Sequence, residues 1–205
     1  MTCKIDRERV ERTISFHGHW CPGLAIGIRA AEWALTELGG RAEDEELVAV
    51  VETDMCGVDA IQFLTGCTFG KGNLIHRDYG KNAFTFYRRS DGKSVRLVLR
   101  AMGSTADREE MAALHEKRQA GTLSSAEENR LSDLREKTSA WLMQTALDAL
   151  FDVRPAVAPL PEKARILESA TCDRCGEQAM RTRIRQLEGK NLCIPCYEQR
   201  GEVTP

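Results

Sequence analysis

Eight cysteines stand in a chain of 205 residues, and their spacing is the first sign of chemistry. Near the C-terminus, Cys172-Asp-Arg-Cys175 is followed, seventeen residues on, by Cys193-Ile-Pro-Cys196. Two residues between cysteines let both sulfurs of a pair turn toward one point, and two such knuckles complete a tetrahedron around zinc at about 2.3 Å. Between the pairs, Arg181–Leu187, a turn at Glu188-Gly189-Lys190 and Asn191-Leu192 predict a hairpin, and Tyr197 onward a short helix. Knuckle, hairpin, knuckle and helix are the parts of a treble-clef finger holding one structural zinc ion. A segment of about forty residues has little core of its own, so the metal supplies its folding energy. Two disulfides or a redox Cys-x-x-Cys pair are the competing readings, and two matched pairs favour metal over both. Arg181, Arg183 and Arg185 are expected on one strand face, solvated or touching phosphate.

A second constellation lies near the N-terminus, where Phe16-His17-Gly18-His19-Trp20-Cys21-Pro22-Gly23 packs three metal-ligand side chains into five residues. If the segment is extended, alternation points His17, His19 and Cys21 the same way. Cys21 enters a helix whose free amides and dipole favour a thiolate. Cys56 is placed alike, after a predicted strand and before a predicted helix, where α/β sheets gather ligands. The four residues predict a Cys/His site for zinc with an open position, or for a softer or redox-active metal. Ordinary core packing is the alternative for each of them. Cys21 and Cys56 can also be read as a redox pair. Asp54 and Asp59 flank Cys56 and are expected to orient a ligand histidine or to sit as plain surface carboxylates. In Gly66-Cys67-Thr68-Phe69-Gly70-Lys71-Gly72-Asn73, Cys67 and Lys71 are candidates for cofactor binding, with backbone amides cradling an anion and Lys71 adding charge. The loop lacks Walker spacing, and its alternative is a flexible turn. His76 is balanced between loop structure and site, and His115 is expected on the surface.

The elements that must position these residues follow from periodicity. Residues 4–15 predict a helix with Ile5, Val10 and Ile14 inward, broken over Phe16–Gly23. Pro22 opens a second helix carrying Leu24, Ile28, Ala31, Leu35 and Leu38, stopped by Gly39-Gly40. Leu47–Thr53 predicts a buried strand, Val58–Thr65 a short helix, and Ala83–Arg89 with Ser94–Arg100 a hairpin. Two helices are predicted from Thr105, the second capped by Ser125 with Glu128 and running to about Phe151 with Leu131, Leu134, Trp141, Leu142, Ala146 and Leu150 buried. The proline-rich Asp152–Lys163 is the expected boundary, giving a core domain over 1–153, a linker over 154–168 and the finger over 169–205.

Apolar residues make up 42% of the chain and charged residues 29%, with a net charge of −2. Such a balance supplies no field to drive binding to nucleic acid or anionic membrane. No apolar run approaches the ~20 residues of a membrane span. The charged segment Met1–Arg12 does not read as a signal peptide, so a cytoplasmic protein is expected.

Three segments, Phe-His-Gly-His-Trp-Cys-Pro-Gly at 16–23, Asp-Met-Cys-Gly-Val-Asp-Ala-Ile-Gln at 54–62 and Thr-Gly-Cys-Thr-Phe-Gly-Lys-Gly-Asn-Leu at 65–74, together resemble the family of the E subunit of formylmethanofuran dehydrogenase. The likeness extends over most of the chain before the finger, and some members of that family carry a C-terminal treble-clef finger. The resemblance implies an α+β core with a mixed β-sheet flanked by helices, thioredoxin-like in outline, and an active site formed by His17, His19, Cys21 and Cys56, sometimes metal-bound. It further implies a homodimer, and for some members a place beside the subunits of a molybdenum or tungsten enzyme of one-carbon metabolism. Three functions are therefore open: a metal-binding accessory protein of such an oxidoreductase, a stand-alone zinc-dependent enzyme, or a zinc-finger interaction or regulatory module.

Overall fold

A long, mostly buried helix that begins at Pro22 organises the larger part of the chain. The computed structural model describes residues 3–44, 46–100, 105–165 and 167–199, in two units, Met1–Lys163 and Ala164–Pro205. The outermost residues of the two expected domains, 1–2 and 200–205, lie outside the described residues.

In the first unit, α1 (Arg7–His17) is capped by Asp6, whose carboxylate accepts from the Arg9 amide, and Ile5, Val10 and Ile14 pack on the core as their spacing predicts. The helix runs two residues past the predicted break and ends at Gly18, whose φ of 94° is open to glycine at little cost. Next comes α2 (Pro22–Leu38), buried along both the sheet side and the helix side through Leu24, Ile28, Ala31, Ala34 and Leu38.

The strand β1 (Leu47–Val51) is buried on both faces and leads into α3 (Gly57–Thr65). After the glycine-rich loop, β2 (Leu74–His76) pairs parallel to β1, a three-residue edge strand without its own sequence signal. The hairpin β3 (Ala83–Arg88) and β4 (Ser94–Leu99) follows as predicted. Two helices, α4 (Thr105–Gln119) and α5 (Ser125–Gln144), pack on each other through Leu114, Leu131 and Leu134. The capping box is Ser124 with Glu127, one residue before the predicted pair.

Helix α5 stops at Gln144 rather than near Phe151, and a short α6 (Leu147–Leu150) and β5 (Phe151–Arg154) take the remaining residues. The physical reason lies in α2. The Arg29 side chain, fully buried, donates to the carbonyls of Met143 and Thr145 at 3.5 and 2.7 Å and so satisfies the end of α5 from outside. Trp141 and Ala146, predicted to be buried, are exposed. Arg29 forms an ion pair at 2.8 Å with the equally buried Glu32.

The five strands form one mixed sheet in the order β2-β1-β3-β4-β5, with only the β1–β2 pair parallel. One face, carrying Ala49, Val51, Phe84, Phe86 and Leu97, packs into the core with α2. On the other face, Val48, Val50 and Tyr87 are covered by Ala156 and Leu160 of the proline-rich segment.

The second unit contains β6 (Ser169–Thr171) paired with β7 (Gln178–Met180), a 3-10 turn at Arg181–Arg183, β8 (Ile184–Leu187) paired with β9 (Lys190–Cys193), and α7 (Ile194–Glu198). The turn separates the arginines: Arg181 and Arg183 lie in it and only Arg185 lies on β8, so they do not share a strand face. No helix among the described residues is long and apolar enough to cross a membrane.

Candidate metal centres

Three helix ends converge in the first unit. His17 is the last residue of α1, Cys21 caps the N-terminus of α2, and Cys56 stands where the chain leaves β1 for α3. One ligand atom from each of His17, His19, Cys21 and Cys56 falls within 4.8 Å of the other three. The segment from His17 to Cys21 is not extended, contrary to the alternation argument. It turns through Gly18, stacks the two imidazoles with ring centroids 4.4 Å apart, and brings the His17 Nε2 to 4.0 Å from the Cys21 sulfur.

The approach of Cys21 to Cys56 depends on glycine. A Cβ built on Gly27 of α2 falls 2.1 Å from the Gly57 carbonyl oxygen of α3, a separation side chains do not adopt. Only at such close backbone contact does α3 carry Cys56 over the N-terminus of α2. Gly23 sits between the cysteines, and a Cβ there would meet Cys56 Cβ at 3.1 Å and the Cys21 sulfur at 3.8 Å.

Each donor is held differently. The Nδ1 of His17 lies 2.7 Å from the Asp59 carboxylate. A carboxylate there fixes the tautomer with Nε2 free as a ligand, the arrangement seen around metal-bound histidines. Asp59 thus takes the orienting role expected of one of the two flanking aspartates, while Asp54 is exposed. The Cys21 sulfur accepts the Leu24 amide at 3.4 Å and so caps α2. Cys56 differs from its expected role: it is already helical, at φ −43° and ψ −32°, and makes no cap hydrogen bond. Burial, and then the Cys21 sulfur beside it, push its thiol above the ordinary value. Two sulfurs so close lose both protons most readily when a cation lies between them, so the donor set fits a borderline or soft metal ion. His19 is exposed and has no carboxylate partner among the described residues.

Cys67 and Lys71 do not join this cluster. Cys67 is fully buried, donates to the Leu47 carbonyl at 3.3 Å, and burial pushes its thiol up to about 11. The loop's amides are used internally: Thr68 donates to the Asn73 side chain and Lys71 to the Thr68 hydroxyl, while the Lys71 ammonium caps the carbonyls of Ala42 and Glu43. An anion cradle needs those amides free. His76 is exposed on the edge strand, and His115 is half-buried on α4.

In the second unit, ligand atoms of Cys172, Cys175, Cys193 and Cys196 also lie within 4.8 Å of one another. The Cys193 amide donates to the Cys172 sulfur at 3.3 Å, and amides of Cys175 and Cys193 bring that thiol down to about 6. The Cys193 sulfur and then burial push Cys196 up to about 12. Such a divided set is resolved by a cation that takes four thiolates at once. Asp173 stitches the first knuckle to the hairpin, its amide donating to Asn191 and its carboxylate accepting the Asn191 amide.

Comparison with known proteins agrees with both halves of this description. Residues 16–152 match the family described as FmdE, Molybdenum formylmethanofuran dehydrogenase operon, and residues 165–200 match the prokaryotic dksA/traR C4-type zinc finger. The chain is similar to a probable S-adenosyl-L-methionine-binding protein of Archaeoglobus fulgidus, 34% identical over 192 residues, which are 90% of this chain and 51% of that protein. It therefore spans about half the length of the curated relative it matches. A crystal structure of an FmdE-like protein of the tungsten formylmethanofuran dehydrogenase type, from Syntrophus aciditrophicus, is similar at 28% identity and a TM-score of 0.56, over 97% of this chain and 94% of that one.

Proposed function

The chain belongs to the FmdE family and ends in a C4-type zinc finger, and on that premise we propose that it is an accessory metalloprotein of a molybdenum or tungsten oxidoreductase acting on one-carbon units. The working centre in this reading is the His17, His19, Cys21 and Cys56 cluster. The observation that carries it is the convergence of four donors within 4.8 Å, with His17 already locked on Asp59. The molybdenum and tungsten context rests on the family description and on the name of the Syntrophus aciditrophicus protein.

When bound, a metal ion would supply a cationic, thiolate-ligated centre for holding or passing on a metal or sulfur group. The residues divide that work unequally. Cys21 and Cys56 carry the charge, His17 is fixed by its carboxylate, and exposed His19 is the ligand that can leave and open a position. Were all four donors to hold the metal, exposed His19 is the one whose release would open a position.

Cobalt substitution tests the centre. The wild-type minus Cys56→Ser difference spectrum should show thiolate-to-cobalt charge transfer with tetrahedral d–d bands, and added imidazole should shift the bands. A blank difference spectrum removes the core site. The accessory role is tested separately, by incubating a purified molybdenum or tungsten one-carbon oxidoreductase with the protein. Activity should rise with wild type and not with Cys56→Ser; no rise with either removes that role.

Assembly as a homodimer belongs to the same proposal, and sedimentation giving the mass of one chain at micromolar concentration would remove it. The name of the Archaeoglobus fulgidus relative raises a second reading, binding of S-adenosylmethionine. Equilibrium dialysis with that compound decides it, retention above the buffer control supporting it and none discarding it.

A further inference from the structure

The sheet face turned away from the metal cluster carries a cavity of about 290 Å³. Its volume lies at the lower end of the roughly 300–1,000 Å³ found for small-molecule sites, enough for one ring with short substituents. Its floor is Val50, Thr85 and Tyr87, from β1 and β3. One wall is the proline-rich segment, held in place by side chains of β3 and the residue after it. The Tyr87 hydroxyl donates to the Ala158 carbonyl at 3.0 Å, and Arg89 donates to the Pro161 carbonyl at 2.7 Å. Proline fixes the backbone of this wall in advance, so the cavity needs no ordering of the chain to accept a ligand.

Two polar groups in the cavity lack partners. Thr85 is 5% exposed, and its hydroxyl makes no hydrogen bond to any described residue. That hydroxyl faces the cavity, where water or a ligand can reach it. Arg77, an exposed residue at the edge of the cavity, has a guanidinium with no hydrogen-bond or ion-pair partner among the described residues. The other charges do not offset it. Glu52 is held by Arg96 through two bonds of 2.7 and 2.8 Å, which neutralises both, and the Lys81 ammonium lies 5.8 Å over the Tyr79 ring at the rim. Among the lining residues the two arginines outnumber the one carboxylate, and two tyrosine and two proline rings supply apolar walls.

We propose that this cavity binds a small flat organic anion, a single aromatic or heteroaromatic ring system bearing a carboxylate, at a site separate from both metal centres. The carboxylate meets Arg77, whose planar fork suits it. A heteroatom or second oxygen meets the Thr85 hydroxyl, and the ring lies along the tyrosine and proline walls.

The test uses indole-3-carboxylate and its neutral isostere indole-3-carboxamide, titrated into the full chain and followed by backbone amide resonances. Saturable shifts at Thr85, Tyr87 and Ala158 are expected with the carboxylate, with the amide binding about tenfold more weakly. Arg77→Gln should weaken the carboxylate to the level of the amide. Val157 lines the mouth and is 97% exposed, so Val157→Asp leaves the fold intact and should repel the anion. Metal content should not change in either variant. The proposal is overturned by no saturable shift up to about 10 mM, by equal binding of acid and amide, or by carboxylate binding that survives both substitutions.

Discussion

Replacing Gly27 by alanine tests whether the crossing of α2 and α3 builds the metal cluster. The new Cβ would start 2.1 Å from the Gly57 carbonyl oxygen and 2.6 Å from the Gly57 Cα, while ordinary contact begins at 3.4 Å. Both obstacles are backbone, so no side chain can swing aside, and the helices must part by about 1 Å. Overpacking of this kind costs about 1–3 kcal/mol, and each kcal/mol lowers the melting temperature of a chain this size by about 2–4 °C. The displacement matters more for the cluster than for the fold. Metal–ligand distances tolerate only about 0.2 Å, and Cys56 rides on α3 while Cys21 caps α2. Gly27→Ala should therefore lose the core metal while the finger keeps its own. Elemental mass spectrometry with a melting curve reads both effects. Gly40→Ala, where an added Cβ meets nothing within 4 Å, is the matched control and should change neither. Wild-type metal content and melting in Gly27→Ala would refute the argument that this contact sets the site.

Other substitutions probe other links. Asp59→Asn should lower core metal affinity about 10–100-fold, since it unlocks His17; competition with a chelating dye measures it, and metal-free melting should hardly move because the Asp59 side chain is 46% exposed. Arg29→Met should destabilise the first unit by about 3–5 kcal/mol, by leaving Glu32 buried and unpaired. Arg29→Met with Glu32→Leu should recover much of that loss, which urea unfolding of the two variants compares. Arg96 holds the Glu52 carboxyl below its usual 4.5, so the pair's stabilisation is complete above that pH and is lost as pH falls through the depressed value. Glu52→Gln should accordingly be about 1–3 kcal/mol less stable than wild type at neutral pH, with the gap closing in denaturant curves taken progressively below pH 4.5.

What the sequence reveals depends on how local the deciding force is. α2, α3 and the β3–β4 hairpin are legible because apolar spacing and turn residues within each segment decide them. β2 and β5 are not, because Leu74–His76 and Phe151–Arg154 become strands only by pairing with β1 and β4. The end of α5 is hidden for the same reason, being set by Arg29 from more than a hundred residues away. At the site, three ligand side chains within five residues single out His17, His19 and Cys21, while the geometry joining them to Cys56 comes from Gly27 and Gly57. Cys67, a candidate for cofactor binding in sequence, is set apart from the cluster by its full burial, which no local pattern announces. The back-face cavity has no sequence signature, since Arg77, Thr85 and Val157 come from three separate segments.

Metal content of anaerobically purified protein, wild type against Cys56→Ser, bears most directly on the core centre. Two metal ions per chain in the wild type and one in Cys56→Ser are expected, the remaining ion being zinc in the Cys172, Cys175, Cys193 and Cys196 finger. One zinc per chain in both proteins would contradict a metal centre at His17, His19, Cys21 and Cys56.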